Sequence, residues 1–173
     1  MSRAFVKEPD GEQADPGIVE RPQSEFPNYI TAGGLARLKT RLEDLRSQQR
    51  EMQAQEGNIS MRDRLHTLET EIRYLDKRMQ CAIPVAVGSQ PGADIRFGAT
   101  VNLVDKNDHL YTFKIVGEDE ADAPRGLLSW VSPLAREMLG KKAGDGLIWK
   151  RPAGDLELEI TDFSYQEVTA GDI

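Results

Sequence analysis

The chain has 173 residues, 39% apolar and 29% charged, with a net charge of −7. That length holds one ordinary domain with an appendage or two small ones, and the composition suits a modest core joined to a solvated, extended element. No window approaches the ~18 apolar residues of a membrane-spanning helix, the single cysteine, Cys81, excludes an internal disulfide and a CxxC metal site, and His66 and His109 stand in no ligand-like pattern.

Residues 1–28 carry four prolines and two glycines among many charges, and read as a mobile, disordered tail. They contain no apolar signal-peptide core, so the expectation is a cytoplasmic protein. Thr31 then suits the N-cap of a helix, although "TAGG" lacks the Glu or Gln three residues on that completes a capping box. Leu35, Leu38, Leu42, Leu45 and Met52 follow at heptad spacing, with Gln49 in the skipped seam position. Met61, Leu65, Leu68, Ile72, Leu75 and Met79 repeat the pattern after the break "AQEGNIS". Gly57 suits a left-handed C-cap, and Asn58 or Ser60 suits the next N-cap. Two heptad helices joined by so few residues lie antiparallel, as a hairpin over residues 29–82 roughly 35–40 Å long. A dimerising coil is the alternative, and the self-contained hairpin, hence a monomer, is preferred.

Residues 83–95 read as a linker that follows a short strand. Beyond them the period falls to two. "ATVNLV" and "LYTFKIV" flank a turn, "GLLSWV" is a short strand, and "GLIWKR" and "LELEITDFSY" flank "PAGD". "SPLAREMLGKK" is a compact helix capped by Ser132, with Pro133 at its first position and Gly140 at its end. The sum is an α+β protein: the hairpin, then a small antiparallel sheet domain with one short helix over residues 96–166, and a tail over 167–173. Phe97, Tyr111, Phe113, Trp130, Trp149, Phe163 and Tyr165 read as the core of that sheet rather than a ligand pocket.

Charge is uneven along this plan. Residues 31–80 carry 10 basic and 8 acidic groups, whereas residues 81–173 carry 9 and 15. An acidic sheet domain repels bare nucleic acid and suits a basic protein surface. Asp119, Glu120 and Asp122 place three carboxylates within four residues, next to a helix start with free backbone N–H groups; taken alone this reads as an ordinary solvated acidic turn, with a patch for a basic partner as the alternative.

Three stretches together resemble the Gre transcript-cleavage factors of bacterial RNA polymerase. They are "YITAGGLARLKTRLEDL", "RLHTLETEIRYLDKRM", and "FGATVNLVDKNDHLYTFKIVGEDEAD" with "SWVSPLAREMLGKKAGD". The resemblance spans residues 29–165 and is nearest the GreB branch. It implies an FKBP-like sheet domain that docks on the rim of the polymerase secondary channel, against a coiled coil of the largest subunit. The positions it assigns to docking are Asp119, Glu120, Asp122, Ser132, Pro133, Ala135 and Arg136. It implies a regulatory factor rather than an independent enzyme, with no cofactor and no resident metal, meeting RNA or DNA only indirectly inside the transcription complex.

In the family the hairpin tip carries G-D-x-x-E-N-A-x-Y, whose two carboxylates help hold a second Mg²⁺ for RNA cleavage. Two-metal hydrolysis needs oxygen ligands delivered at that point, with the ions about 4 Å apart. This tip has no such motif. Glu51, Glu56 and Asp63 are balanced by Arg50, Arg62 and Arg64. Glu56 and Asp63 are the only candidates for that role, and Asp63 also fits a variant capping box with Ser60. Against the family pattern the hairpin is short by roughly one heptad per arm, which keeps the seam in register and withdraws the tip by about 10 Å. In arm length the chain is similar to the non-cleaving branch typified by the nucleoside diphosphate kinase regulator. The expectation is polymerase binding and modulation of elongation without efficient cleavage. The alternatives are a true cleavage-stimulating factor, or a peptide-binding or prolyl-isomerase-like module with a dimerising coil.

Overall fold

The computed structural model describes residues 24–54, 59–87 and 93–165. Two long helices, α1 (Ala32–Gln53) and α2 (Ile59–Gln80), form the hairpin. Each has 22 residues, about 33 Å of helix, slightly below the length expected from the pattern. Their seam is the one the heptads predict. Leu38, Leu42, Leu45, Leu68 and Leu75 are buried, flanked by Leu35, Met52, Ile72 and Met79. Gln49 sits in this seam and donates through Nε2 to Glu69 Oε1 at 3.2 Å, a cross-helix contact that marks register. Arg41–Glu71 and Arg46–Asp76 bridge the helices at 3.0 and 2.7 Å, on exposed flanks where such pairs contribute little. Ser60 already lies inside α2, so it is not the cap that the sequence suggests. Gly57 and Asn58 fall outside the described residues.

A strand absent from the sequence reading lies at the foot of the hairpin. β1 (Asn28–Ile30) immediately precedes α1 and pairs in parallel with β2 (Ala82–Pro84), which immediately follows α2. The hairpin is therefore closed at both chain ends by backbone hydrogen bonds, and Ile30, only 1% exposed, plugs its base.

The sheet domain holds β3 (Thr100–Asp105), β4 (Leu110–Val116), β5 (Leu127–Ser129), β6 (Gly146–Trp149) and β7 (Leu156–Ser164). Their order across the sheet is β5-β4-β3-β7-β6. Every pairing is antiparallel except β4–β5; β5 runs parallel because the turns over residues 118–125 carry the chain back before it rejoins the sheet. Helix α3 (Pro133–Met138) covers one face, pressing Leu134, Ala135 and Met138 onto Val101, Leu103, Ile115, Leu158 and Ile160. The core is aliphatic. Tyr111, Phe113, Trp130, Trp149, Phe163 and Tyr165 are only partly buried around it, and Phe97 packs on Tyr29 of β1, centroids 6.0 Å apart. The aromatics thus rim the core rather than form it, as their bulk and polar tips favour.

As expected, Ser132 caps α3, its Oγ accepting from Ala135 N at 3.3 Å, with Pro133 in the first turn. Gly140 takes the left-handed conformation just after the helix, φ +80°. Among the described residues, no helix is long and apolar enough to cross a membrane.

Candidate functional site at the joint between hairpin and sheet

The two families of motif, "TAGG" at the start of α1 and "GEDEAD" after β4, are in contact. Glu120 is the centre of the first half of the joint. Its carboxylate accepts from Thr31 N at 2.9 Å, from Thr31 Oγ1 at 2.5 Å and from Gly117 N at 3.2 Å. Arg37 Nη2 stands 3.3 Å from its Oε1. Thr31 Oγ1 meanwhile accepts from Gly34 N at 3.0 Å. This is a capping box assembled from distant parts of the chain. The hydroxyl caps the third helical N–H, and a glutamate accepts the N–H of the cap residue itself, but that glutamate is Glu120 instead of residue 34.

Glycine at position 34 is what makes room. A Cβ there would lie 2.1 Å from Glu120 Cδ and 2.2 Å from its Oε1. Gly117 is similarly confined, since a Cβ would stand 2.3 Å from the carbonyl oxygen of Tyr29. Both glycines are required by close approach.

The second half of the joint is centred on Arg78, in the last turn of α2 and 2% exposed. Its Nε donates to both oxygens of Asp119, at 2.8 and 3.0 Å. Its Nη2 donates to Asn28 Oδ1 and lies 3.7 Å from Glu118 Oε2. Asn28, itself 4% exposed, returns a bond through Nδ2 to the Arg78 carbonyl at 2.9 Å. Burial by itself would lower the pKa of this guanidinium. The hydrogen bond and charge of Asp119, with Glu118 beside it, outweigh burial and raise the pKa. Glu118 Oε2 is buried without a hydrogen bond among the described residues, and the nearby Arg78 charge compensates it.

The structure therefore separates the seven residues assigned to docking. Asp119 lies on an exposed turn but directs its carboxylate inward, leaving the side chain 12% exposed. Glu120 is buried, and Ala135 is fully buried in the sheet-domain core. Glu120 and Ala135 present no side-chain surface, and Asp119 exposes mainly its backbone. Two of the backbone N–H groups at the start of α3 are also engaged, Ala135 N by Ser132 Oγ and Arg136 N by Ser132 O. Asp122, Pro133 and Arg136 keep solvent-facing side chains, and Ser132 is half-buried. They flank β5, to which Asp122 is tied by an isolated bridge at Leu127. Asp122 lies 4.0 Å from Arg125, with 40% of its side chain exposed.

At the other end of the hairpin, Asp63 is exposed on α2, and its carbonyl accepts from Thr67 Oγ1. Glu56 lies outside the described residues. Among the described residues, no group of three or more His, Cys, Asp or Glu is placed to hold a metal ion.

Sequence reasoning missed Arg78, Asn28 and the link role of Thr31 and Gly34. Arg78 did leave a signal: it lies three residues after Leu75 and so faces the same side as the apolar seam, an odd place for a cation without an acidic partner.

Comparison with known proteins matches the same regions. Residues 90–165 match the family described as the C-terminal region of transcription elongation factor GreA/GreB. Transcription elongation factor GreB of Neisseria meningitidis serogroup B is 32% identical over 160 residues, covering 84% of this chain and 98% of the relative. Transcription elongation factor GreA of an Anaeromyxobacter species is 33% identical over 153 residues, covering 80% of this chain and 92% of the relative. Among solved structures, the GreA/GreB factor of Nitrosomonas europaea is 18% identical, covering 82% of this chain and 100% of its own, with a TM-score of 0.41. Gfh1, a GreA factor homologue of Thermus thermophilus, is 21% identical, covering 80% and 99%, with a TM-score of 0.38. With at least 80% of this chain and over 90% of each relative aligned at above 30% identity, the chain belongs to the GreA/GreB family of transcription elongation factors.

Proposed function

We propose that this chain binds bacterial RNA polymerase at the rim of the secondary channel, against a coiled coil of the largest subunit. Asp122, Pro133 and Arg136 make the contact, with Ser132 fixing the start of α3. The hairpin enters the channel mouth and modulates elongation by occupancy, without efficient transcript cleavage. Asp119 and Glu120 do not touch the partner but hold the arm at a fixed angle to the docking face, and Ala135 seats α3 in the sheet-domain core.

The observation that carries this reading is the joint. A probe that acts by where it reaches must keep a fixed angle to the surface that docks. Arg78–Asp119 and Glu120–Thr31 tie the base of both hairpin helices to the turn beside β5. The tip sequence lacks the family's paired-carboxylate motif, which supports occupancy over chemistry, since a second Mg²⁺ needs paired oxygen ligands. The hairpin seam is filled by its own two helices, which supports action as a single copy.

Titration of core bacterial RNA polymerase with the full-length protein tests docking. Binding is expected, weakened by Asp122→Lys and by Arg136→Glu; no binding, or indifference to both changes, overturns it. Backtracked complexes supplied with Mg²⁺ test the mode. Transcripts should keep their length; shortening that is lost in a Glu56→Ala, Asp63→Ala double variant would establish a cleavage factor instead.

A further inference from the structure

The residues that lead into β1 lie across the sheet domain. Ser24 Oγ accepts from Phe26 N at 3.3 Å, turning the chain inward. The Phe26 ring meets Trp130 edge-on, centroids 6.0 Å apart at 79°. On its other side the guanidinium carbon of Arg136 stands 4.9 Å from the ring centroid. Tyr29 continues the cluster, 5.1 Å from Trp130. Phe26 is thus held by Arg136, which is exposed and belongs to the docking face, and by Trp130, which joins β5 to α3. The grip is partial: Phe26 remains 44% exposed. The indole Nε1 of Trp130 is buried with no hydrogen-bond partner among the described residues.

We propose that the segment entering β1 is a strap over the partner-docking face. Phe26 occupies Arg136 and Trp130 and lifts away before the polymerase engages the same surface. This rests on the docking reading above. Charge and geometry favour a competitor over an added contact. The Phe26 ring covers one face of the Arg136 guanidinium and lies against Trp130, so a partner that packs on this surface must displace it. The held form binds more weakly by the fraction of molecules with the strap off. One exposed cation–π contact and one edge-on aromatic pair place the penalty at roughly 3- to 30-fold.

The test is a fluorescence-anisotropy titration of core RNA polymerase with full-length wild type, Phe26→Ala, Phe26→Tyr, and Arg136→Ala with and without Phe26→Ala. Phe26→Ala should bind roughly 3- to 30-fold more tightly, and Phe26→Tyr, which keeps the ring, should match wild type. The gain from Phe26→Ala should shrink in the Arg136→Ala background, where only the Trp130 contact is left to break. Phe26→Ala binding equal to or weaker than wild type overturns the strap while leaving docking intact. Absence of binding by every form removes docking, and the strap with it. Acrylamide quenching of Trp130 in a Trp149→Phe protein reads the contact without polymerase. Quenching should rise with Phe26→Ala, and no change would overturn the contact in solution.

Discussion

Glu120 accepts the backbone N–H of Thr31 across 89 residues of chain, completing a cap that α1 cannot complete alone. Its carboxylate is 3% exposed and has donors on several sides. Glu120→Gln keeps the shape and removes the charge that strengthens these bonds, and should cost ~1–3 kcal/mol in urea unfolding. A change below about 0.5 kcal/mol, the scale of an ordinary surface substitution, would contradict the box.

Gly34 gives a sharper test because its sign is unusual. Glycine to alanine in a helix commonly stabilises by ~0.5–1 kcal/mol. Here the new Cβ would stand 2.1 Å from Glu120 Cδ, and that side chain is bonded in place. Gly34→Ala should therefore destabilise, by ~1–3 kcal/mol as Glu120 is pushed from its donors. In a Glu120→Ala background the penalty should shrink or reverse. Thermal or urea unfolding of the four proteins of the cycle decides it.

Arg78 is the corresponding residue of α2. Arg78→Met leaves Asp119 and Glu118 facing one another with no cation and should cost ~3–5 kcal/mol, the range for removing one partner of a buried pair. Lysine should not rescue, because one ammonium cannot span Asp119 and Asn28 as the planar guanidinium does. Coupling between Arg78→Met and Asp119→Asn below about 0.5 kcal/mol would show that the pair is not an energetic unit.

Much of this was legible before the structure, and the division is physical. Heptad spacing exposes a helical seam wherever it is repeated, so both arms could be read from Leu35 to Met79. Alternation exposed β3, β4 and β7, and Ser132-Pro133 exposed the start of α3. What spacing does not carry is contact between distant segments. Strand β1 has only three residues and is stable because β2 lies beside it. Glu120 and Asp119 read as surface charges because their partners, Thr31 and Arg78, are 89 and 41 residues away. "TAGG" could be seen to lack a glutamate, but no local rule says that a distant one arrives.

One contribution to the pH dependence of stability should arise in the β3–β4 turn. Asp105 is 7% exposed. Burial would raise its pKa, but the backbone N–H groups of His109 and Asn107, at 3.0 and 2.8 Å, and the His109 ring outweigh burial and lower it. Tyr111 OH also approaches its Oδ2, at 3.4 Å. A carboxylate with a depressed folded pKa contributes stability that is present above its unfolded value, about 3.9, and lost as pH falls through the folded one. Asp105→Asn should be less stable than wild type near neutrality, and the gap should narrow as pH drops below about 4. Urea midpoints of both proteins from neutral to acid pH check this; a constant gap would assign the effect to shape rather than ionisation.

Docking and arm placement should also separate. Gly34→Ala leaves Asp122, Pro133 and Arg136 untouched, so its affinity for polymerase should stay within about threefold of wild type, under 1 kcal/mol. Its hairpin, freed from the Glu120 cap on one side, samples a range of angles to the docking face. Occupancy of the channel mouth then falls as the fraction of correctly aimed molecules falls. The variant should bind normally yet change elongation rate less than wild type at saturating concentration, where raising the dose cannot compensate. Arg136→Glu should show the reverse, weak binding with a full effect once enough protein is supplied. If both variants lost activity only in proportion to lost binding, the joint would be a folding element alone and the fixed angle would have no part in function.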